Sequence, residues 1–466
     1  MRSSSEQVDA AHPRHVPIGL GVWELAWPSI IGNLLNSSVS MVGAVAVGSL
    51  GAGALAAATV GERIFFVLQA FLMAVTAGTT ALVARAWGGG DRAEAARVTR
   101  SSVFICLGVS SVAGIIGAAF ARELAGIFQL EQATLELAAT YIRWLMAFNP
   151  AFAVFFALAA ALRAAGDART PLFMGTLANV LNGALLFPLV FGSFGFPSLG
   201  VRGAALAGGS AFSISSALFL WLWWTDRLVV RVGSRGALER ERIARLLRIG
   251  FPAGLEQGVF QIGFILFLWI ISFYGTEPYA AYGIGVRILS FSFVIGSGFS
   301  IAASTLVGQH LGAGDVAGAR RSGWRASLHS VAAMSFFGLI IAYFAEPIAR
   351  FTVDDDEVVR LTVAFIYILG SVQPLMALEF ALGGGLRGAG DTRFPLYTAL
   401  AGMLLVRTSL AALAHWLELP VEWVFAALIG DYIVKSSLFI RRFRSDRWQQ
   451  ALRHPTPQAP LRAASG

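Results

Sequence analysis

The chain has 466 residues, 56% hydrophobic and 13% charged, with mean hydropathy +0.68. Soluble domains carry about 25% charged residues, so most of this chain belongs in lipid and a water-soluble enzyme or binding module is excluded. The formal charge of +8 is almost entirely arginine; the arginines lie in short loops between apolar runs, a membrane-orientation pattern and not a nucleic-acid face.

A spanning helix needs about 20 mostly apolar residues. Twelve segments meet this: 20–46, 54–84, 98–121, 134–160, 171–192, 203–225, 249–273, 278–308, 322–345, 358–386, 395–416 and 421–440. Membrane-barrel strands need only about 9–11 residues and alternate strictly, which these runs do not. Residues 1–19 and 443–466 read as polar tails, and 226–248 as a linker between an N-lobe (20–225) and a C-lobe (249–442). The first sixteen residues are polar with no short apolar core behind them, so no removable signal peptide is expected. Cys106 is the single cysteine and sits in an apolar run, so no disulfide forms within the chain.

Arginines mark one set of loops. Arg92, Arg97 and Arg100 follow span 2, Arg163 and Arg169 follow span 4, and seven arginines lie between Arg227 and Arg248. The opposite loops are neutral, glycine-rich or acidic (Asp354, Asp355, Asp356, Glu357). The positive-inside rule then places both termini in the cytoplasm, in accord with an even number of spans.

The chain is a duplication. LRAAGDARTP at Leu162–Pro171 recurs as LRGAGDTRFP at Leu386–Pro395, so Arg163 and Asp167 return 224 residues later as Arg387 and Asp391. LVARAWGGGD, ending at Asp91, recurs at the same offset as LVGQHLGAGD, ending at Asp315. Six spans separate the copies, so equivalent helices run the same way. The expected fold is an all-α membrane protein of twelve transmembrane helices in two six-helix parallel repeats. The glycine strings lack the lysine and spacing of a phosphate loop and read as tight turns, with Arg163, Asp167, Arg387, Asp391, Asp91 and Asp315 as structural loop residues that tie helix ends together.

Those motifs, with Val47-Gly48-Ser49-Leu50-Gly51, Gly250–Gln257 (GFPAGLEQ) and the Phe443…Trp448 ending, resemble the multidrug and toxic compound extrusion (MATE) family, most of all its DinF-like bacterial branch. The resemblance runs from about Leu20 to Trp448. It implies the two-lobed MATE, or MOP-type, fold and an antiporter that expels amphipathic, often cationic compounds on a sodium or proton gradient. Many members carry carboxylates at positions that here hold Gly43 and Leu186 or Phe187, and some carry another where Ala377 stands. Their amino-terminal cation site therefore does not transfer, and coupling needs other residues.

A charge at bilayer depth costs at least about 2.5–3.5 kcal/mol, so intramembrane charges are functional candidates. Glu256 and Glu379 fall at one depth, roughly 10–12 Å below the arginine-rich surface, and read as acids of one cavity. A carboxyl taken out of water holds its proton more tightly, which suits protonation coupled to release of a cation. The plainer alternative is that each caps or hydrogen-bonds a neighbouring helix. Glu62 is a further acid, while Arg63 and its repeat mate Arg287 read as anchors. Ser29, Asn33, Asn36 and Ser40 form one stripe on span 1, and Thr176, Asn179 and Asn182 one on span 5. Either they line a hydrated cavity or they cement helix pairs. Tyr282 is the aromatic candidate for cation–π contact with substrate, and Trp221, Trp223 and Trp224 read as an interfacial belt.

The expected function is secondary active multidrug efflux in exchange for H+ or Na+, by rocking of the two lobes about a shared cleft. The expected partners are drug-like small molecules and the lipid bilayer, with no cofactor beyond the coupling cation, no nucleic acid, and a monomeric state. The expected location is the bacterial cytoplasmic membrane. The alternative is a flippase for a lipid-linked precursor, which needs a cationic cavity, whereas the deep charges read as more acidic than basic. A membrane enzyme is disfavoured because no catalytic cluster appears.

Overall fold

In lipid the backbone has no partner but itself, so apolar runs of this length coil into helices. In the computed structural model, which describes residues 19–232 and 239–451, every regular element is helical. The expected tails at 1–18 and 452–466, and linker residues 233–238, lie outside the described residues.

The first half contains α1 (Val22–Gly48), α2 (Ala52–Gly88), α3 (Arg92–Ala119), α4 (Ala121–Gly126), α5 (Gln132–Ala147), α6 (Asn149–Ala164), α7 (Arg169–Phe191) and α8 (Val201–Trp224). The second contains α9 (Arg240–Ser272), α10 (Thr276–Gly312), α11 (Val316–Tyr343), α12 (Ala345–Thr352) and α13 (Asp356–Gly388). It continues through α14 (Arg393–Ala399), a π-helical stretch Leu400–Arg407, α15 (Thr408–Trp416) and α16 (Val421–Arg444). The 224-residue shift carries Ala52–Gly88 onto Thr276–Gly312 and Arg92–Ala119 onto Val316–Tyr343 without remainder. Equal helix lengths follow from equal spacing of the turn residues: Gly90 and Gly314 take the same left-handed φ of 78° and 77°.

Among the described residues eleven helices are long and apolar enough to cross a membrane, and the bent pair α5–α6, taken as one span, makes a twelfth. Here the structure corrects the sequence. The span expected to run unbroken over 134–160 bends by 48° between Ala147 and Asn149. Pro150 has no N–H for the preceding turn and its ring crowds that turn's carbonyl.

The linker and the second tail are also shorter than expected. Residues 240–248 are the first turns of α9, fastened where Arg242 Nε and Nη2 donate to Glu94 at 3.1 and 3.0 Å. Burial alone would raise the Glu94 carboxyl, but hydrogen bonds and charge from Arg242 and Arg97 outweigh it and hold it below the usual glutamate range. At the other end Trp448 is fully buried. Its ring stacks 4.7 Å from Phe443, and its Nε1 donates to the Phe443 carbonyl at 3.0 Å. Arg320 holds Asp446 at 2.6 Å. Residues 443–451 thus belong to the C-lobe.

Each lobe has its own apolar core, around Phe155, Leu158 and Phe219 in the first and Phe267, Phe365 and Phe425 in the second. The lobes meet at the arginine-rich end. Val22, Leu25 and Ala26 of α1 pack on Phe299, Ala302 and Leu306 of α10. Gln309 Nε2 donates to the Ala164 carbonyl at 2.8 Å, and Thr305 Oγ1 to the Arg163 carbonyl at 3.1 Å. A Cβ at Gly88 would fall on the Gln309 carbonyl, and one at Gly312 on the Arg85 carbonyl. Small residues let helices approach this closely in lipid, where no hydrophobic force draws them together. Away from this end the lobes part around a cleft.

Candidate functional site

The cleft holds a cavity of about 500 Å³ between α1 and α2 on one side and α9, α10, α13 and α16 on the other; its wall includes Glu256, Glu379, Phe260, Phe293, Phe380 and Asn36. Glu256 is bound by Arg387, whose Nη2 and Nε lie 3.0 and 3.4 Å from its two carboxylate oxygens. Arg387 was expected to tie a loop, but α13 runs on to Gly388. Side chains on a helix lean toward its N-terminus, so the guanidinium in the last turn reaches back into the cleft.

Glu379, two turns earlier on α13, accepts from Lys435 of α16, whose Nζ is 3.1 Å from Oε1 and 2.8 Å from Oε2. Lys435 in turn lies 3.4 Å from Asp431, and Asp431 is paired with Arg407. Lys435, Asp431 and Arg407 are 3%, 0% and 4% exposed. The π-helical stretch that ends on Arg407 helps seat this group, because a Cβ at Gly402 would collide with the Asp431 carboxylate and the Lys435 stem. Sequence reading missed all three residues. Their signal was present, since ionisable residues inside apolar runs are candidates by default, and Asp431 and Lys435 stand i, i+4 on one face. The deep charge of the cleft is therefore balanced, three acids against three bases, and not the acidic excess expected. Pairing of this kind offsets much of the penalty of removing ions from water.

The N-lobe carries a cavity of about 130 Å³ whose wall includes Gly32, Asn33, Asn36, Phe155, Arg163 and Asn179. Under the repeat shift Gly32, Phe155 and Arg163 are the mates of Glu256, Glu379 and Arg387. Arg163 too was expected in a loop and instead lines a cavity. Asn33 and Asn36 line both cavities, and Asn33 Nδ2 donates across the lobes to Ser297 Oγ at 3.0 Å.

A third cavity, of about 120 Å³, holds Glu62, Thr59, Ser40 and Asn182, with Gly43 and Leu186 in its wall. Gly43 is one of the positions at which the resemblance places a carboxylate in many members, and Leu186 is one of the two alternatives for another. Glu62 of α2 is the acid that faces this space. Asn182 Oδ1 is buried and makes no hydrogen bond among the described residues.

The remaining candidates separate. Tyr282 is 2% exposed and packs edge-on against Phe267 and Phe365, in the core of the C-lobe and outside the three cavities. Trp223 is buried, so only Trp221 and Trp224 face outward. Arg63 and Arg287 are exposed on α2 and α10. Asp91 and Asp315 cap α3 and α11, accepting from Glu94 N at 2.8 Å and Gly318 N at 2.7 Å. The Gly318 bond holds the Asp315 carboxyl below the usual aspartate range. Asp167 accepts from Thr170 Oγ1 at 2.6 Å, while Asp391 is gripped by Arg442 at 2.7 Å. Among the described residues no three His, Cys, Asp or Glu side chains converge on a metal-sized site.

The MatE family model matches residues 28–187 and 252–413, one stretch in each lobe. The chain is 29% identical over 439 residues to a probable multidrug resistance protein NorM of Thermotoga maritima, covering 92% of both chains. It is 28% identical over 431 residues to a protein of the same description from Rhodopseudomonas palustris, covering 87% of this chain and 89% of the other. Among solved structures it is similar to an outward-facing multidrug resistance MATE family transporter of the MOP superfamily, with TM-score 0.86 at 19% identity over 92% of this chain and 96% of that one. It is likewise similar to a MOP superfamily transporter from Pyrococcus furiosus, with TM-score 0.85 at 20% identity over 93% and 96%. Two lobes with matched cavities at the same repeat positions, and a family model that falls once on each lobe, lead to one conclusion: the chain belongs to the MatE family of membrane transporters.

Proposed function

We propose that this protein is a multidrug exporter of the bacterial cytoplasmic membrane that exchanges amphipathic, cationic compounds for H+ or Na+ by alternating access. One observation carries the reading: a cleft between two like-oriented lobes, closed at the arginine-rich end and walled by Glu256, Glu379 and the rings of Phe260, Phe293 and Phe380. Rings supply cation–π attraction and tolerate varied shapes, and the carboxylates supply charge. The names of the relatives support drug export. The arginine-rich face is taken as cytoplasmic on the positive-inside rule, so the cleft opens outward.

In the empty cleft Lys435 and Arg387 neutralise the acids, which lets the lobes rock without carrying bare charge through lipid. A cationic substrate competes with Lys435 for Glu379. The exchanged ion binds at Glu62, where a carboxylate, the Asn182 amide oxygen and the hydroxyls of Ser40 and Thr59 line one cavity, a hard-oxygen set suited to a proton or sodium. The flippase alternative needs free bases in the main cleft, and each base there is matched by an acid.

The test is drug-driven ion flux in proteoliposomes. Glu379→Gln is expected to weaken ethidium binding, while Glu62→Gln leaves binding intact and abolishes the accompanying ion flux. Full coupled activity in both variants would overturn the assignment.

A further inference from the structure

We propose that the N-lobe cavity binds the carboxylate of an amphipathic aromatic compound, with Arg163 as its counter-ion. The two lobes offer an internal comparison. Arg387 is held by Glu256 at 3.0 Å and approaches Ser300 Oγ at 3.4 Å. Its mate Arg163 lines the N-lobe cavity with no hydrogen bond or ion pair to its guanidinium among the described residues, and no acid stands in that cavity's wall. The positions that supply carboxylates in the C-lobe hold Gly32 and Phe155 here. An arginine within the span of a membrane helix needs an anion or a ring of carbonyls, and the repeat has removed the internal anion while keeping the base.

The rest of the wall describes the ligand. Phe155 stands edge-on to Phe156 at 5.7 Å and to Phe212 at 5.4 Å, an aromatic corner suited to a flat ring. Asn33 and Asn179 offer amides in the cavity wall. A single guanidinium with no second cation balances one negative charge, which selects a carboxylate over a doubly charged phosphate; planar carboxylates also match the arginine fork. The two lobes are then of opposite preference, cation in one and anion in the other, and a compound bearing both charges is bound across Asn33 and Asn36, which line both cavities. This deepens the export reading by naming a substrate class, but it is measured without any gradient, so its failure is distinguishable from failure of antiport.

The test is isothermal titration calorimetry of the full chain in detergent against 1-naphthoate and its neutral isostere 1-naphthamide, each corrected with protein-free micelles. Wild type is expected to bind the acid at least tenfold more tightly than the amide. Arg163→Gln is expected to bring the acid down to the amide's affinity without changing the amide. Gly32→Glu restores the carboxylate that the C-lobe has. A Cβ there meets only Leu172 Cδ1 at 3.6 Å, so the backbone accepts it, and it is expected to abolish the preference with Arg163 still present. This second variant decides the matter if Arg163→Gln fails to fold. Equal affinities for acid and amide in wild type, or a preference that survives Gly32→Glu, would overturn the proposal.

Discussion

Lys435→Met separates the charge network from simple apolar packing. Lys435 Nζ lies 2.8 Å from Glu379 and 3.4 Å from Asp431. At an effective dielectric of about 20 these distances give attractions of roughly 6 and 5 kcal/mol. Desolvation of the three ions cancels most of that, so the intact network adds little net stability. Removing one member is different. Asp431 keeps Arg407, but Glu379 is left as a bare acid in the cleft, at a cost of about 3–5 kcal/mol. Glu379 keeps 26% of its side chain accessible, which places the expected loss near about 3 kcal/mol. Adding Glu379→Gln removes the stranded charge, and the double variant should recover about 2 kcal/mol of that loss. The assay is equilibrium unfolding in mixed micelles, run as a double-mutant cycle. A double variant no more stable than Lys435→Met would refute the reasoning.

Other consequences follow from the same geometry. Gly308→Val should force the lobes apart where they meet, since a Cβ there would overlap that of Ala84 and crowd the Gly388 carbonyl; stability should fall by about 1–3 kcal/mol, and an unfolding midpoint equal to wild type would contradict close packing of the lobes at this end. Glu94→Gln should cost about 1–2 kcal/mol, because it takes the carboxylate charge from two hydrogen bonds of the buried Arg242 and leaves Glu239, 3.2 Å away, as its remaining carboxylate partner. As the Glu94 carboxyl is held low, its contribution is present at neutral pH and lost as pH falls through that lowered pKa, so acid unfolding should be blunter in the variant. Pro150→Ala should leave stability within about 1 kcal/mol while straightening α5–α6, read as a changed distance between spin labels on the two helices.

The order of helices was legible because turn chemistry repeats: the glycine-aspartate turns ending at Asp91 and Asp315 stop and start helices at equivalent residues in both halves. The cleft was half legible. Glu256 and Glu379 stand out as carboxylates in apolar runs, yet their partners come from elsewhere in the chain, 131 residues on for Arg387 and 56 for Lys435, and no local pattern links them. Arg163 and Arg387 misled because each sits beside a loop aspartate, while the lean of helical side chains carries the guanidinium back into the membrane. Tyr282 misled for the opposite reason, since a tyrosine buried among rings and one facing a cleft have the same surroundings in sequence.

The most direct measurement is uphill transport by the purified protein in liposomes under an imposed proton or sodium gradient, with ethidium fluorescence as the signal. Ethidium should move against its own gradient, stop when an ionophore collapses the ion gradient, and fall to background in Glu379→Gln. Ethidium that only equilibrates, whichever ion gradient is imposed, would contradict gradient-driven export.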